Sequence, residues 1–331
     1  MRATVSGASG LIGGALVTSL LADGHEVTVL VRRPGTSSGR SRQESADGDK
    51  VERVAWDPER GELDPAALAG CRAFFNFSGA PIGDRRWTRA RKEELVRSRV
   101  GTTKLLAEAA ACVAPRDSVL VNASAIGYYG DRAAVELSEQ SEPGSGFLAD
   151  LCRAWEDATE PARKAGLRVV NLRSGIVLSR SAGALAKQLP LFRSGLGGRL
   201  GSGRQWVSWI TLEDEVAVIR YAAADPGLSG PVNAVSPEPV TNATFTRELA
   251  RLLRRPGVLA VPAIALRVVF GSELADQVML ASQRVRPAKL LANGYRFTCA
   301  NLATGLQMTL RTPSRVPPGG PGEPRRLETD E

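Results

Sequence analysis

The chain has 331 residues, 43% of them hydrophobic and 24% charged, the balance of an ordinary globular protein with room for a sizeable core. No stretch approaches the roughly 18 apolar residues of a membrane span, and the β-rich run after Met1 leaves no room for a signal or transit peptide. The expectation is a cytoplasmic protein with no membrane partner. The net charge of +8 comes from scattered arginines rather than a basic run, which argues against nucleic acid and for a small anionic ligand.

The four cysteines are far apart, and the single histidine, His25, sits in a turn. Zinc catalysis and a Ser-His-Asp triad are therefore poorly supported, and no metal site is expected.

Residues 2–6 read as a strand, 11–22 as a helix and 26–31 as a second strand, which together have the size of one βαβ unit. Residues 34–50 are polar and rich in Gly, Ser and Arg, and read as a mobile loop. Further strands are predicted at 51–56, 73–77, 119–123 and 168–172. Helices fall at 66–69, 89–111 and 147–165. This alternation predicts an α/β fold with a doubly wound parallel sheet, the Rossmann fold. From about residue 178 the alternation becomes irregular. Residues 182–206 and 236–311 are assigned to a smaller substrate-binding region, and 1–181 with 207–235 to the main domain. Residues 312–331, rich in Pro, Gly and charge, are expected to be disordered.

The segment Gly7-Ala8-Ser9-Gly10-Leu11-Ile12-Gly13 is a GxxGxxG turn between strand and helix. Its first glycine allows a tight turn and its second lets backbone N–H groups approach a pyrophosphate. Its third lets the helix pack on the strand, and the helix N-terminus favours the anion. The second strand runs into Arg32 and Arg33, where an NAD site would place an acidic residue. Arginine there suits the 2′-phosphate of NADP, although two solvated surface arginines would look the same.

With these residues in view, the chain resembles the atypical, extended, epimerase-like branch of the short-chain dehydrogenase/reductase superfamily. The resemblance runs from Met1 to about Leu310. It rests on GASGLIG (7–13), NFSGAPIGDRRWT (76–88), SRV (98–100), NASAIGYYGD (122–131), FLADLCRAWE (147–156), LRSGIVLS (172–179), GSGRQWVSWI (201–210) and PVNAVSP (231–237). It implies that Asn76, Ser78 and Gly79 lie beside the cofactor, and that Ser124 is the active-site serine. It also places Arg173 near the nicotinamide and a nucleotide sugar or carbonyl compound as substrate. A homodimer built through helices would be in keeping with it, though the sequence leaves the oligomeric state open.

One departure matters. Active members of the superfamily use Tyr and Lys four residues apart, the lysine helping the tyrosine to exchange a proton near neutrality. None of Tyr128, Tyr129, Tyr221 and Tyr295 is followed by such a lysine. The helix that should carry the pair offers Phe147 and Leu151 in one register, Leu148 and Cys152 in the other, and the asparagine expected on the preceding helix is Arg99.

Three readings stay open. Tyr128 or Tyr129 beside Ser124 supplies the proton, with Arg99 stabilising oxyanion charge; or the protein binds NADP(H) as a redox sensor without turnover; or Cys152 is a reactive thiol. The bland alternatives are tyrosines packed beneath the cofactor, an inert core cysteine, and Arg99 paired with Glu94. Gly201 to Trp206 would suit an anionic or sugar-like ligand, or be a surface turn. Gln283, Arg284 and Lys289 are weaker candidates.

Overall fold

The computed structural model describes residues 1–32 and 51–311; the predicted loop at 34–50, Arg33 and the predicted tail at 312–331 lie outside the described residues. Five strands open the chain: β1 Arg2–Ser6, β2 Glu26–Arg32, β3 Val51–Trp56, β4 Ala73–Asn76 and β5 Val119–Ala125. With Arg168–Ser174 and Gly230–Ala234 they form a seven-stranded sheet, parallel throughout. Its order is Gly230–Ala234, Arg168–Ser174, β5, β4, β1, β2, β3. This is the doubly wound Rossmann arrangement.

The two-residue period of the strands fills both faces. Phe75, Val121 and Val170 enter one core with helices α1 (Leu11–Ala22) and, later in the chain, Leu212–Ala224. Their neighbours Phe74, Leu120 and Val169 enter the opposite core, under the helix that follows β4. That helix is predicted as one continuous stretch. It is α2 (Arg89–Val96) and α3 (Thr102–Val113), joined by a π-helical turn at Arg97–Gly101. The predicted helix at 147–165 is likewise two, α4 (Phe147–Asp157) and α5 (Glu160–Lys164), with Pro161 opening the second.

A separate core, with Leu185, Phe192, Trp209, Phe245 and Leu306, lies among α6 (Gly183–Arg193), α8 (Asn242–Leu253) and Leu302–Arg311, with α7 (Leu212–Ala224) between α6 and α8 in the chain. Among the described residues no helix is long and apolar enough to cross a membrane.

Candidate functional site

The strand order reverses between β1 and β4, which opens a crevice at their C-terminal ends. Gly7, after β1, has φ +75°, and a Cβ there would lie 2.5 Å from the carbonyl carbon of Phe77, after β4. A Cβ on Gly13 would lie 2.3 Å from the Gly7 carbonyl oxygen. Both glycines are demanded by the packing of the chain on itself. Gly10 is not: it is exposed, its backbone is extended (φ −83°, ψ 170°), and a Cβ would meet only Gly7 O, at 3.2 Å.

Gly10 also caps α1 without any side-chain hydrogen bond, and the first intrahelical bond comes from Gly14 N–H to Gly10 O (2.9 Å). The N–H groups of Leu11, Ile12 and Gly13 precede it and are the helix's orphan donors. With exposed Ser9 beside them they form an open anion cradle. Arg32 closes β2 as an exposed residue.

Behind the cradle runs a polar row across four register neighbours. Ser6 Oγ donates to Asn76 Oδ1 (2.6 Å), Asn76 Nδ2 to Asn122 Oδ1 (2.8 Å), and Asn122 Nδ2 to Asn171 Oδ1 (3.2 Å). Asn76 Nδ2 also donates to Thr103 Oγ1, which accepts in turn from Trp155 Nε1 (2.9 Å). The Asn76 side chain, expected beside a cofactor, is fully buried and committed to this row, because buried amides must be satisfied. Ser78 and Gly79 follow on the crevice wall, with the Ser78 N–H directed at Asn76 Oδ1 (3.4 Å).

Arg99 departs from its expected role in stabilising an oxyanion. It lies on the π-helical turn, buried, and donates to Ala80 O (2.9 Å) and, weakly, to Leu95 O, with its guanidinium over the Trp155 ring. A Cβ on Gly79 would sit 3.1 Å from its guanidinium carbon, so this cation holds the loop after β4 from behind. Burial pulls its pKa down to about 10. Arg91 does similar work about two turns earlier, donating to Pro81 O, and it is Arg91 rather than Arg99 that pairs with Glu94 (2.7 Å).

The main surprise surrounds Ser124. Its hydroxyl donates to Glu156 Oε1 (2.7 Å), and Arg173 grips both oxygens of that carboxylate through Nε and Nη2, each at 2.8 Å. Arg173 Nη1 reaches Tyr129 Oη (3.1 Å), and Tyr129 donates to Asn233 Oδ1 (2.7 Å). Arg173 therefore spends its donors inside a buried cluster. Glu156 and Asn233 were missed in the sequence; the available signal was that Leu148, Cys152 and Glu156 are four apart on one helix face.

Tyr129 is fully buried, and burial pushes its phenol up to about 12, which removes it as an acid near neutrality. Cys152 fares the same: burial first, then the Glu156 charge, push its thiol up to about 12, so it is a core residue and not a ready thiolate. Tyr128 differs. Its half-buried ring stacks on Arg173 (3.4 Å to the centroid), and its hydroxyl has no hydrogen-bond partner among the described residues. The Leu148 and Cys152 side chains both face Gly127, next to Tyr128.

Further along, Gln205 Nε2 binds Leu200 O within the Gly201–Trp206 turn, and Trp206 stacks with Arg284. Trp209 is core. Gln283 pins the Tyr128–Tyr129 turn by donating to Ile126 O and Gly130 O, both at 3.1 Å, while Lys289 donates through Nζ to Ser229 O (2.8 Å) and through its backbone N–H to Glu139 Oε1 (3.2 Å).

The switch-point crevice with its glycine cradle defines a dinucleotide-fold protein. Residues 3–234 match the model of the NAD dependent epimerase/dehydratase family, and residues 261–308 match a domain of unknown function, DUF1731. The chain belongs to that epimerase/dehydratase family, in its atypical, extended short-chain dehydrogenase/reductase branch. It is 45% identical to epimerase family protein Mb2239 of Mycobacterium bovis over 88% of this chain and 92% of that one. It is 35% identical to the human epimerase family protein SDR39U1 over 93% of this chain and 99% of that one.

Among solved structures, human SDR39U1 (isoform 2) with NADPH superposes with a TM-score of 0.82 at 33% identity, covering 94% of this chain and all of that one. A nucleoside-diphosphate sugar epimerase from Corynebacterium glutamicum gives 0.71 at 34% identity, covering 94% of this chain but 58% of that longer one.

Proposed function

We propose that the protein binds NADP(H) and acts as an oxidoreductase or epimerase-like enzyme with a non-standard proton route. The observation that carries the reading is the cradle at the β1–β4 switch point, where the fold explains Gly7 and Gly13 but leaves Gly10 free for an outside ligand. In this reading the N–H groups of Leu11, Ile12 and Gly13, with Ser9, hold the pyrophosphate. Arg32 and Arg33 take the 2′-phosphate, which favours NADP over NAD, and Ser78 and Gly79 form the facing wall. The NADPH complex of the human relative supports this choice.

NADP(H), when bound, supplies or accepts a hydride. Residues 1–181 and 207–235 act as the cofactor domain, and 182–206 with 236–311 as the region that receives a small-molecule substrate. The substrate is a nucleotide sugar or carbonyl compound, the first of these supported by the relative named as a nucleoside-diphosphate sugar epimerase. Because α4 carries Leu148 and Cys152 in place of a Tyr-Lys pair, proton exchange falls to the free hydroxyl of Tyr128. The stacked Arg173 stabilises negative charge as it develops there. Ser124, its proton given to Glu156, presents lone pairs to the substrate.

A second reading, an NADP(H)-binding redox sensor without turnover, is favoured by the inward commitment of Tyr129, Arg173 and Cys152. Deuterium loss from 4R- and 4S-deuterated NADPH, measured over a panel of carbonyls and nucleotide sugars, separates the two. Loss from one face establishes turnover and its stereochemistry. Full retention with NADPH bound supports the sensor.

A further inference from the structure

Two segments outside the crevice are basic and wholly without acid. Residues 182–206 contain Lys187, Arg193, Arg199 and Arg204 and no Asp or Glu, and residues 249–272 contain Arg251, Arg254, Arg255 and Arg267 and none either. The fold joins them. Leu259–Val261 pairs in parallel with Gly198–Leu200, and Pro256 packs against Gly195. The second segment continues into α9, a helix spanning Ala263–Phe270. Leu266 anchors α9 inward, while Arg86 binds the Val268 and Val269 carbonyls at its end, so its orientation is fixed.

The joined segments and α9 expose Leu196, Val258, Leu259, Ile264, Val268 and Val269. Val258 is 86% exposed, Ile264 70% and Val268 66%. Ile264 and Val268 are one helical turn apart, so they stand side by side on the outer face of α9. Large apolar side chains gathered in this way mark an interaction surface.

The charge around them narrows the partner. Arg193, Arg199, Arg254 and Arg255 are exposed and form no ion pair among the described residues. Their companions Lys187, Arg251 and Arg267 pair with acids that lie outside the two segments, Asp84, Glu248 and Asp276. Nucleic acid would use the cations and leave the valines and isoleucine in water. An anionic bilayer uses both: apolar side chains enter the acyl boundary while guanidinium groups meet headgroup phosphates.

We propose that this face docks the protein peripherally on anionic lipid bilayers. The proposal departs from the expectation of no membrane partner, which rested on the lack of a spanning stretch and on the scatter of the charge along the chain. The proposal does not depend on the cofactor reading, since the crevice and this face share no residue.

The test is flotation of the full chain with vesicles of phosphatidylcholine alone, or of phosphatidylcholine and phosphatidylglycerol in equal parts, at ~0.1 M and ~1 M salt. Binding is expected only to the mixed vesicles and should weaken at the higher salt. Arg254→Gln with Arg255→Gln should lower partitioning by roughly fivefold per charge removed. Val258→Asp with Ile264→Asp should abolish it, with melting temperature and NADPH affinity unchanged. Failure of the wild type to float with the mixed vesicles overturns the proposal, as does binding that ignores both double variants. So does a solution dimer, seen by light scattering, that Val258→Asp with Ile264→Asp breaks, because the face is then a contact between two copies.

Discussion

Glu215 offers the sharpest quantitative prediction. It sits in the first turn of Leu212–Ala224, fully buried; Oε1 accepts from Ser174 Oγ (2.6 Å), and Oε2 has no hydrogen-bond partner among the described residues. Its neighbour Asp214, by contrast, is satisfied by Thr298 N–H, Cys299 N–H and the Thr211 hydroxyl. Burial raises the Glu215 carboxyl from 4.5 to about 8, the Ser174 hydrogen bond offsetting only part of the effect.

Because the folded value lies above the unfolded one, the folded protein keeps a proton that the unfolded chain releases. The contribution of Glu215 to stability is therefore full below pH 4.5 and is lost as pH rises toward 8. At about 1.4 kcal/mol per pH unit the loss reaches roughly 3 kcal/mol at pH 7 and 4–5 kcal/mol above pH 8. Glu215→Gln removes the titration. Its melting temperature should match the wild type near pH 4.5 and exceed it by roughly 8 °C or more at pH 8, at about 2 °C per kcal/mol. Melting curves of both proteins across this range decide the matter. Parallel pH profiles would refute the reasoning, since they would mean that Glu215 is solvated or paired.

Other outcomes follow from the cluster and the cradle. Glu156→Gln leaves Arg173 as a buried cation with a neutral partner and should cost about 3 kcal/mol or more in urea unfolding, whereas Glu156→Leu with Arg173→Met should regain most of the loss. Tyr129→Phe strands Asn233 Oδ1 and one Arg173 donor, for about 1–3 kcal/mol of stability. Tyr128→Phe should leave stability within about 0.5 kcal/mol while abolishing deuterium transfer from NADPH. Replacing Arg32 and Arg33 by Ala should weaken NADPH binding by roughly ten- to a hundredfold and leave NADH binding unchanged, read by fluorescence titration.

The parts legible in the sequence were those whose causes are local. Gly13 announces a strand–turn–helix because its steric demand comes from Gly7 O, six residues away. The positive φ of Gly7 is likewise a local turn requirement, although the close approach of Phe77 to Gly7 is not. Continuous apolar runs such as Val119 to Val121 reveal strands buried on both faces. The π-helical turn at Arg97–Gly101 was not legible, since Arg99 is drawn inward by Ala80 O and Trp155, contacts that exist only once the sheet has formed. The break between α4 and α5 could have been suspected from Pro161, which favours the first turn of a new helix.

Around Ser124 the sequence named several of the residues that the fold brings together, but not their arrangement. Glu156 and Arg173 are seventeen residues apart, on a helix and a strand, and nothing in their spacing says that they meet. Tyr128 and Tyr129 are adjacent and chemically alike, yet one phenol is locked to Asn233 and the other is free, a distinction made by tertiary burial alone.

The central claim is that the cradle binds NADP(H), and Gly10 tests it most directly. The extended backbone at Gly10 accommodates an L-residue, and a Cβ there meets one atom of the chain, Gly7 O at a tight 3.2 Å, so Gly10→Val should still fold, at a cost of about 1 kcal/mol for the poorer N-cap. An NADPH titration of the two proteins should show saturable binding to the wild type and affinity reduced by more than about tenfold in the variant. Equal affinity in both, or no binding to the wild type, would contradict the account.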